Sequence, residues 1–361
     1  MKKYFFKFFS ASTSIPVFLI ILIITSTGIS QQKNNIDIPD GLTNEQILGF
    51  RDENGRSIFS PSDTISDAYQ TRNFTGFAAG DNYGNSVNTA GDVNGDGFDD
   101  IIIGAPYNDG IAANAGRVYI YYGGLNVNLV PDIILSGESA LNYFGYSVSS
   151  AGDVNQDGYS DVLVGAYLYS NRGRAYIYFG GAGMNNTADI IMTGDSAGNF
   201  GVSVSKAGDV NGDGYCDVII GAMGYNSYTG KAYIFYGGSN MNNIADVIMT
   251  GENVNNNFGG SVSSAGDVNK DGYADVICGA YGYNSFAGKA YVFYGGVSMN
   301  NTADLTITGE SDNLFLGWSV SSAGDVNGDG YDDIIVPAPS YNSYMGRAGI
   351  YLGGKNMDNT A

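Results

Sequence analysis

From about residue 70 to its end the chain alternates short apolar runs with stretches of Gly, Asn, Asp and Ser, and no helical periodicity intervenes. Glycine pairs and Asn-rich turns bound each run, which is the punctuation of antiparallel meanders. In the second repeating unit this pattern predicts strands over Gly145 to Ser150, Val162 to Ala166, Arg174 to Phe179 and Asp189 to Thr193. The unit recurs: the aspartates at Asp92, Asp153, Asp209, Asp267 and Asp325 stand 61, 56, 58 and 58 residues apart. A period in that range indicates stacked or radially arranged β units. Repeated four-stranded units without helices predict an all-β fold, a β-propeller of four-stranded antiparallel blades, which leaves only short, protected edges. The repeats fall near residues 77–137, 138–194, 195–251, 252–309 and 310–361.

Between the first two strands of each unit lies the run Asp-Val-Asn-x-Asp-Gly-aromatic-x-Asp. Side-chain oxygens at loop positions one, three and five converge on one ion only if the backbone turns sharply, and Gly at position six allows that turn. A carbonyl at position seven and a carboxylate at position nine complete a shell of hard oxygens, which suits Ca²⁺ with about six to eight oxygens. The predicted ligands are Asp92, Asn94, Asp96, Phe98 and Asp100 in the first loop, and Asp153, Asn155, Asp157, Tyr159 and Asp161 in the second. They are Asp209, Asn211, Asp213, Tyr215 and Asp217 in the third, Asp267, Asn269, Asp271, Tyr273 and Asp275 in the fourth, and Asp325, Asn327, Asp329, Tyr331 and Asp333 in the fifth. The opening matches an EF-hand, but position twelve of the first loop is Ile103 in a β-branched run, so the site is strand-loop-strand. A lone copy of this motif reads equally well as an Asx-rich turn without metal. Five copies in register, each with Asp at position nine, favour up to five Ca²⁺ sites.

The first thirty residues carry Lys2, Lys3 and Lys7 ahead of an apolar stretch from Ile15 to Ile24, with small residues Gly28 and Ser30 after it. This is the layout of a secretory signal peptide cleaved near Ser30. The apolar core of about ten residues is short of the roughly twenty that a spanning helix needs. Residues 31–69 are polar and read as an N-terminal tail or linker before the repeat region at 70–361. The predicted location is therefore secreted or cell-surface, with no stable membrane span after cleavage.

The formal net charge is −20, and fifteen of the 36 acidic residues are the loop carboxylates at positions one, five and nine. Five bound Ca²⁺ ions would halve that charge, and so acidic a chain is not a nucleic-acid binder. The two cysteines, Cys216 and Cys278, are not repeat-equivalent and form no disulfide framework. Alternating aromatics such as Tyr119, Tyr121, Tyr176, Tyr178, Tyr233 and Tyr291 read as packing between blades. Val at loop position two reads as a core plug.

Phe144-Gly145, Phe200-Gly201 and Phe258-Gly259 precede their loops, and Gly165-Ala166, Gly221-Ala222 and Gly279-Ala280 follow them. The first unit has Tyr83-Gly84 with Gly104-Ala105-Pro106. On these motifs the repeat region resembles the FG-GAP repeat of the integrin alpha-chain propeller and its microbial relatives. The resemblance implies that the loop residues bind Ca²⁺ on the side of the propeller away from the face that binds ligands. The fifth unit departs from it with Leu316-Gly317 and Pro337-Ala338-Pro339, and five repeats are visible where integrin alpha chains have seven.

Residues Gln70 to Gly76 align with the fourth-strand segment Pro131 to Gly137, and the fifth unit lacks its own fourth strand. Either the first segment completes the last blade and closes a five-bladed ring, or the sequence is part of a larger propeller. The absence of His removes Ser-His and Cys-His nucleophiles and histidine zinc sites. A catalytic carboxylate pair would break the repeat symmetry, whereas Glu138, Asp195, Glu252 and Glu310 recur once per blade junction. The expected function is an extracellular calcium-binding module for binding or adhesion, not an enzyme, with a protein or glycan ligand on the propeller face. The propeller portion of a surface hydrolase or lyase, or a structural part of a larger surface protein, are the alternatives.

Overall fold

The computed structural model describes residues 72–124, 127–355 and 357–358, so the predicted signal peptide and tail lie outside the described residues. Five antiparallel sheets follow one another along the chain, each a meander. Blade 1 comprises β1 (Ser86–Gly91), β2 (Asp100–Ala105), β3 (Arg117–Tyr121) and β4 (Ile133–Ser136). Blade 2 comprises β5 (Ser147–Gly152), β6 (Asp161–Ala166), β7 (Arg174–Tyr178) and β8 (Ile190–Thr193). Blade 3 comprises β9 (Ser203–Gly208), β10 (Asp217–Ala222), β11 (Lys231–Phe235) and β12 (Val247–Thr250). Blade 4 comprises β13 (Ser261–Gly266), β14 (Asp275–Ala280), β15 (Lys289–Phe293) and β16 (Leu305–Thr308). Blade 5 has three described strands, β17 (Ser321–Gly324), β18 (Asp333–Ala338) and β19 (Arg347–Tyr351). The predicted boundaries hold to within a residue or two. The other assigned elements are single helical turns of three or four residues.

Each blade's second strand is apolar on both faces; β6, β10 and β14 are buried along their whole length. Successive blades stack face to face, so one face of each joins the core of the preceding junction and the other joins the next. Between blades 2 and 3, Leu163, Ile177 and Met192 meet Val218, Ile220, Tyr233 and Phe235. The Phe of each Phe-Gly motif is set between them: Phe144, Phe200 and Phe258 are at most 2% exposed. Phe258 meets Tyr291 edge-on at 5.2 Å and Phe293 at 6.3 Å. The alternating third-strand tyrosines are thus junction packing, as their spacing predicts. Full burial of one such ring stabilises by about 1.5–3 kcal/mol.

The Gly of the Gly-Ala motif has a steric cause. A Cβ on Gly104, Gly165, Gly221 or Gly279 would strike the carbonyl oxygen of Gly145, Gly201, Gly259 or Gly317 of the next blade. In blade 5, Pro337 holds that position.

No packing of comparable extent joins β17 to β1 among the described residues, so the five-bladed ring considered from the sequence is not closed. The far face of blade 5 is bare. Val326 is 51% and Ile350 41% exposed, where the equivalent Val268 and Val292 of blade 4 are 0%. The segment proposed as an orphan fourth strand lies instead on blade 1: Phe74 packs edge-on against Tyr121 at 4.5 Å. Gly76 stands against Tyr83 as Gly137, Gly194 and Gly251 stand against Phe144, Phe200 and Phe258. Residues 73–76 therefore take the place of a preceding blade's last strand, without pairing to β19.

The turns between second and third strands carry backbone strain. Asn226, Ser227 and Tyr228 of blade 3, Asn284, Ser285 and Phe286 of blade 4, and Asn342, Ser343 and Tyr344 of blade 5 all have positive φ. Each triplet is a left-handed turn, and such a conformation costs roughly 1–2 kcal/mol per residue.

Leu316 fills the Phe site in blade 5 at 2% exposure. Phe258→Leu is therefore expected to cost less than about 1.5 kcal/mol. Phe258→Ala, which empties the junction, is expected to cost about 3–5 kcal/mol. Urea denaturation of the two variants separates a size requirement from an aromatic one.

Candidate metal centre

Each loop joins the first two strands of its blade at the same end of the sheet, and antiparallel pairing places all five loops there. In the first loop, Asp92 Oδ1 accepts the N–H groups of Gly95 at 2.7 Å and Asp96 at 3.1 Å, and its Oδ2 accepts that of Gly97 at 2.8 Å. Asn94 Oδ1 accepts the Asp96 N–H at 2.8 Å, and Asp96 Oδ1 accepts the Phe98 N–H at 3.0 Å. Asn94 Nδ2 donates to Asp96 Oδ2 at 3.0 Å. These bonds are Asx turns, the motif that Asp and Asn favour. They recur in the other loops: Asp213 N–H reaches Asp209 at 3.1 Å and Asn211 at 2.9 Å, and Asp329 N–H reaches Asp325 at 3.1 Å and Asn327 at 3.0 Å. Positions one, three and five thus share one tight turn, and the aromatic at position seven (Phe98, Tyr159, Tyr215, Tyr273 or Tyr331) donates its N–H into it.

Position nine behaves differently. Asp100, Asp161, Asp217, Asp275 and Asp333 are all 0% exposed. Asp217 Oδ2 accepts the N–H of Val210 at loop position two, and its Oδ1 accepts that of Gly237 beyond the third strand, both at 2.8 Å. Asp100, Asp161, Asp275 and Asp333 bond the equivalent pairs, so each ties its loop to the third strand. The sequence pointed to this residue as a ligand and missed its part as a staple. The signal was present as the Gly-Gly pair that ends every third strand, whose first N–H needs a partner.

Burial pushes Asp161, Asp217 and Asp275 up to about 7, against the pull of two backbone N–H groups each, and the carboxylates at positions five and one push in the same direction as burial. Among the described residues no three or more His, Cys, Asp and Glu side chains are grouped closely enough to hold a metal ion. The chemistry of the donor set nonetheless suits a hard dication: each loop carries three carboxylates and a carboxamide at its predicted ligand positions, with no nitrogen or sulfur ligand.

The loops are also stitched to the following blade. Asp92 and Val93 carbonyls accept the N–H groups of Ser160 at 2.9 Å and Gly181 at 2.7 Å. The same bonds join the second loop to Cys216 and Gly238, the third to Ala274 and Gly296, and the fourth to Asp332 and Gly354. Blade 5 has no such bonds at Asp325 and Val326 among the described residues.

The recurring junction acids are structural. Glu138 pairs with Arg174 at 2.8 Å, Asp195 with Lys231 at 3.0 Å, Glu252 with Lys289 at 2.6 Å and Glu310 with Arg347 at 3.0 Å. Tyr176, Tyr233 and Tyr291 donate their hydroxyls to the first three at 3.0, 2.9 and 3.0 Å. Phe77 stands at this position ahead of blade 1 and stacks on Tyr119 at 5.0 Å. Cys216 and Cys278 are both free.

The FG-GAP repeat family matches residues 83–121, 144–178, 200–235, 258–293 and 316–351, about half of the chain. The chain belongs to the FG-GAP repeat family, and its five matched repeats are the five blades. It is 35% identical to integrin alpha-5 of Xenopus laevis over 178 residues, 45% of this chain and 17% of that protein. It is 31% identical to human integrin alpha-8 over 222 residues, 58% of this chain and 19% of that protein. With integrin alpha-6 of Gallus gallus it shares 39% identity over 138 residues, 37% of this chain and 13% of that protein. The matched part spans less than a fifth of these relatives' length. No helix among the described residues is long and apolar enough to cross a membrane.

Asp217→Ala is expected to leave the Val210 and Gly237 N–H groups unpaired, at about 1–3 kcal/mol each. The exposed Asp213→Ala is expected to cost less than that pair. Denaturation in excess chelator checks both, because the staple acts without an ion.

Proposed function

We propose that this protein is an extracellular, calcium-stabilised binding module of the integrin alpha type, acting through the blade face opposite the metal loops. The observation that carries this reading is the fivefold repetition of one oxygen-donor loop, each stitched to neighbouring strands, with no departure at positions one, three, five and nine. In the first loop the holding residues are Asp92, Asn94 and Asp96, the Phe98 carbonyl and Asp100, with the equivalent set in each other loop. A bound Ca²⁺ supplies positive charge to carboxylates that otherwise repel one another, so that ion binding adds to folding stability. The Asx turns hold positions one, three and five in place, the buried Asp locks the loop to the third strand, and the next blade's N–H groups orient its first two carbonyls. Secretion rests on the N-terminal signal sequence, and the recurring acids, each paired with a Lys or Arg, support a non-enzymatic role. The integrin relatives support a protein-binding or glycan-binding module over the hydrolase reading.

Melting the protein in excess EGTA and then in millimolar Ca²⁺ tests this. At a calcium concentration about 100 times the Kd, each ion is expected to add about 2.7 kcal/mol. Close to five ions per chain are expected, and Asp213→Ala is expected to remove one. No melting shift and no bound ion would overturn the calcium reading and leave the loops as Asx turns.

Among the described residues the fifth loop receives no N–H from another blade and Val326 is exposed. A chain of these 361 residues is therefore expected to hold its fifth ion most weakly. Calorimetric titration is expected to resolve four tighter ions and one weaker, with Asp329→Ala removing only the weaker.

A further inference from the structure

At the opposite end of the strands from the metal loops, a cavity of about 680 Å³ opens between blades 3 and 4. We propose that it binds a neutral oligosaccharide. The proposal rests on the reading of this face as a binding surface and names the ligand class that it takes.

The walls come from the connection between the two blades, Asn253 to Asn257, and from the left-handed turns that carry Tyr228 and Phe286. Its lining holds no Asp, Glu, Lys or Arg, in a chain of net charge −20. Glu252, next in sequence to the lining, is already held by Lys289 and Tyr291. A charged ligand would find no counter-charge here.

Asn257 in the lining bonds Tyr281, but four other polar side chains of the cavity are uncommitted. The side chains of Asn253, Asn255, Asn284 and Ser285 are exposed and make no hydrogen bond among the described residues. The carboxamides of the metal loops, by contrast, are all bonded. Asn256, in the same wall, is 3% exposed and its Nδ2 has no partner. The equivalent Asn142 between blades 1 and 2 is likewise buried with an unpartnered Nδ2, so this group belongs to the repeat and is not peculiar to the cavity. A carboxamide offers both a donor and an acceptor, and so matches a hydroxyl, which is both.

Two aromatic rings flank these groups. Tyr228 and Phe286 are 47% and 40% exposed, at φ of 62° and 64°. Bulky residues seldom adopt this backbone, and the turn recurs at Tyr344 of blade 5, so what sets the cavity apart is the pair of rings and not the turn itself. A pyranose ring has an apolar C–H face to lay on an aromatic ring and hydroxyls around its edge to meet the carboxamides. The volume lies within the range of about 300–1,000 Å³ usual for small-ligand sites, which accommodates a short oligosaccharide.

The test is binding of the calcium-loaded protein to immobilised neutral oligosaccharides, with sialylated and sulfated oligosaccharides alongside. Retention on neutral glycans is expected. Phe286→Ala and Asn255→Ala are each expected to weaken it at least tenfold at an unchanged melting temperature. Tyr344→Ala, in the equivalent turn of blade 5 and outside the cavity, is expected to leave it unchanged. Retention on acidic glycans alone, no retention at millimolar glycan, or binding that Phe286→Ala and Asn255→Ala leave intact would overturn the proposal. Binding of a protein instead would overturn it too, while leaving the binding-module reading in place. Loss of the calcium-dependent melting shift would strike that reading's calcium part without touching this site.

Discussion

A sheet of four short strands with two apolar faces has no core of its own, and everything else in this fold answers that constraint. Each blade is stable only between neighbours, as in other repeat architectures where stacking buries a continuous core. The Phe of one motif fills the space between facing sheets, and the Gly of the other lets the next backbone approach. On the far face of blade 5, against which no further blade packs among the described residues, Val326 and Ile350 are exposed, and Pro337 stands where the other blades carry glycine.

The Asp-rich loops belong to this stacking and are not appended to it. Each loop is held from below by a buried carboxylate and from within by Asx turns, and the first four are also held from the side by N–H groups of the next blade. Burial raises the cost of charge on the ninth residue, and the carboxylates at positions five and one push the same way. Loop geometry and blade stacking are therefore coupled, and the end blade feels the loss of both.

The two ends of the strands do different work. One repeats a single chemistry five times with little variation. The other repeats a strained turn but changes what surrounds it: the blade 2 turn differs from the Tyr-Asn-Ser-aromatic turns of blades 3 to 5, and the connections between blades differ in length and residues. Variation where the backbone is already committed is where selectivity arises, because the rigid sheets carry the loops without depending on their side chains.

The repeat, the four-strand meander, the between-blade role of the tyrosines and the sharp Asx-rich turn of each loop were legible in the sequence, because they depend on local periodicity and on short fixed spacings. Strand ends came within a residue or two for the same reason. Tertiary structure alone decided that residues 73–76 cover blade 1 and do not pair with β19, because that depends on whether the first and last blades meet. It also decided that the ninth loop aspartate staples two backbone N–H groups from separate strands, and that the junction acids are each bound to a cation about 36 residues away. Such partnerships join parts of the chain that only folding brings together; the Gly-Gly pair after each third strand marks a donor in need of a partner but not which carboxylate meets it.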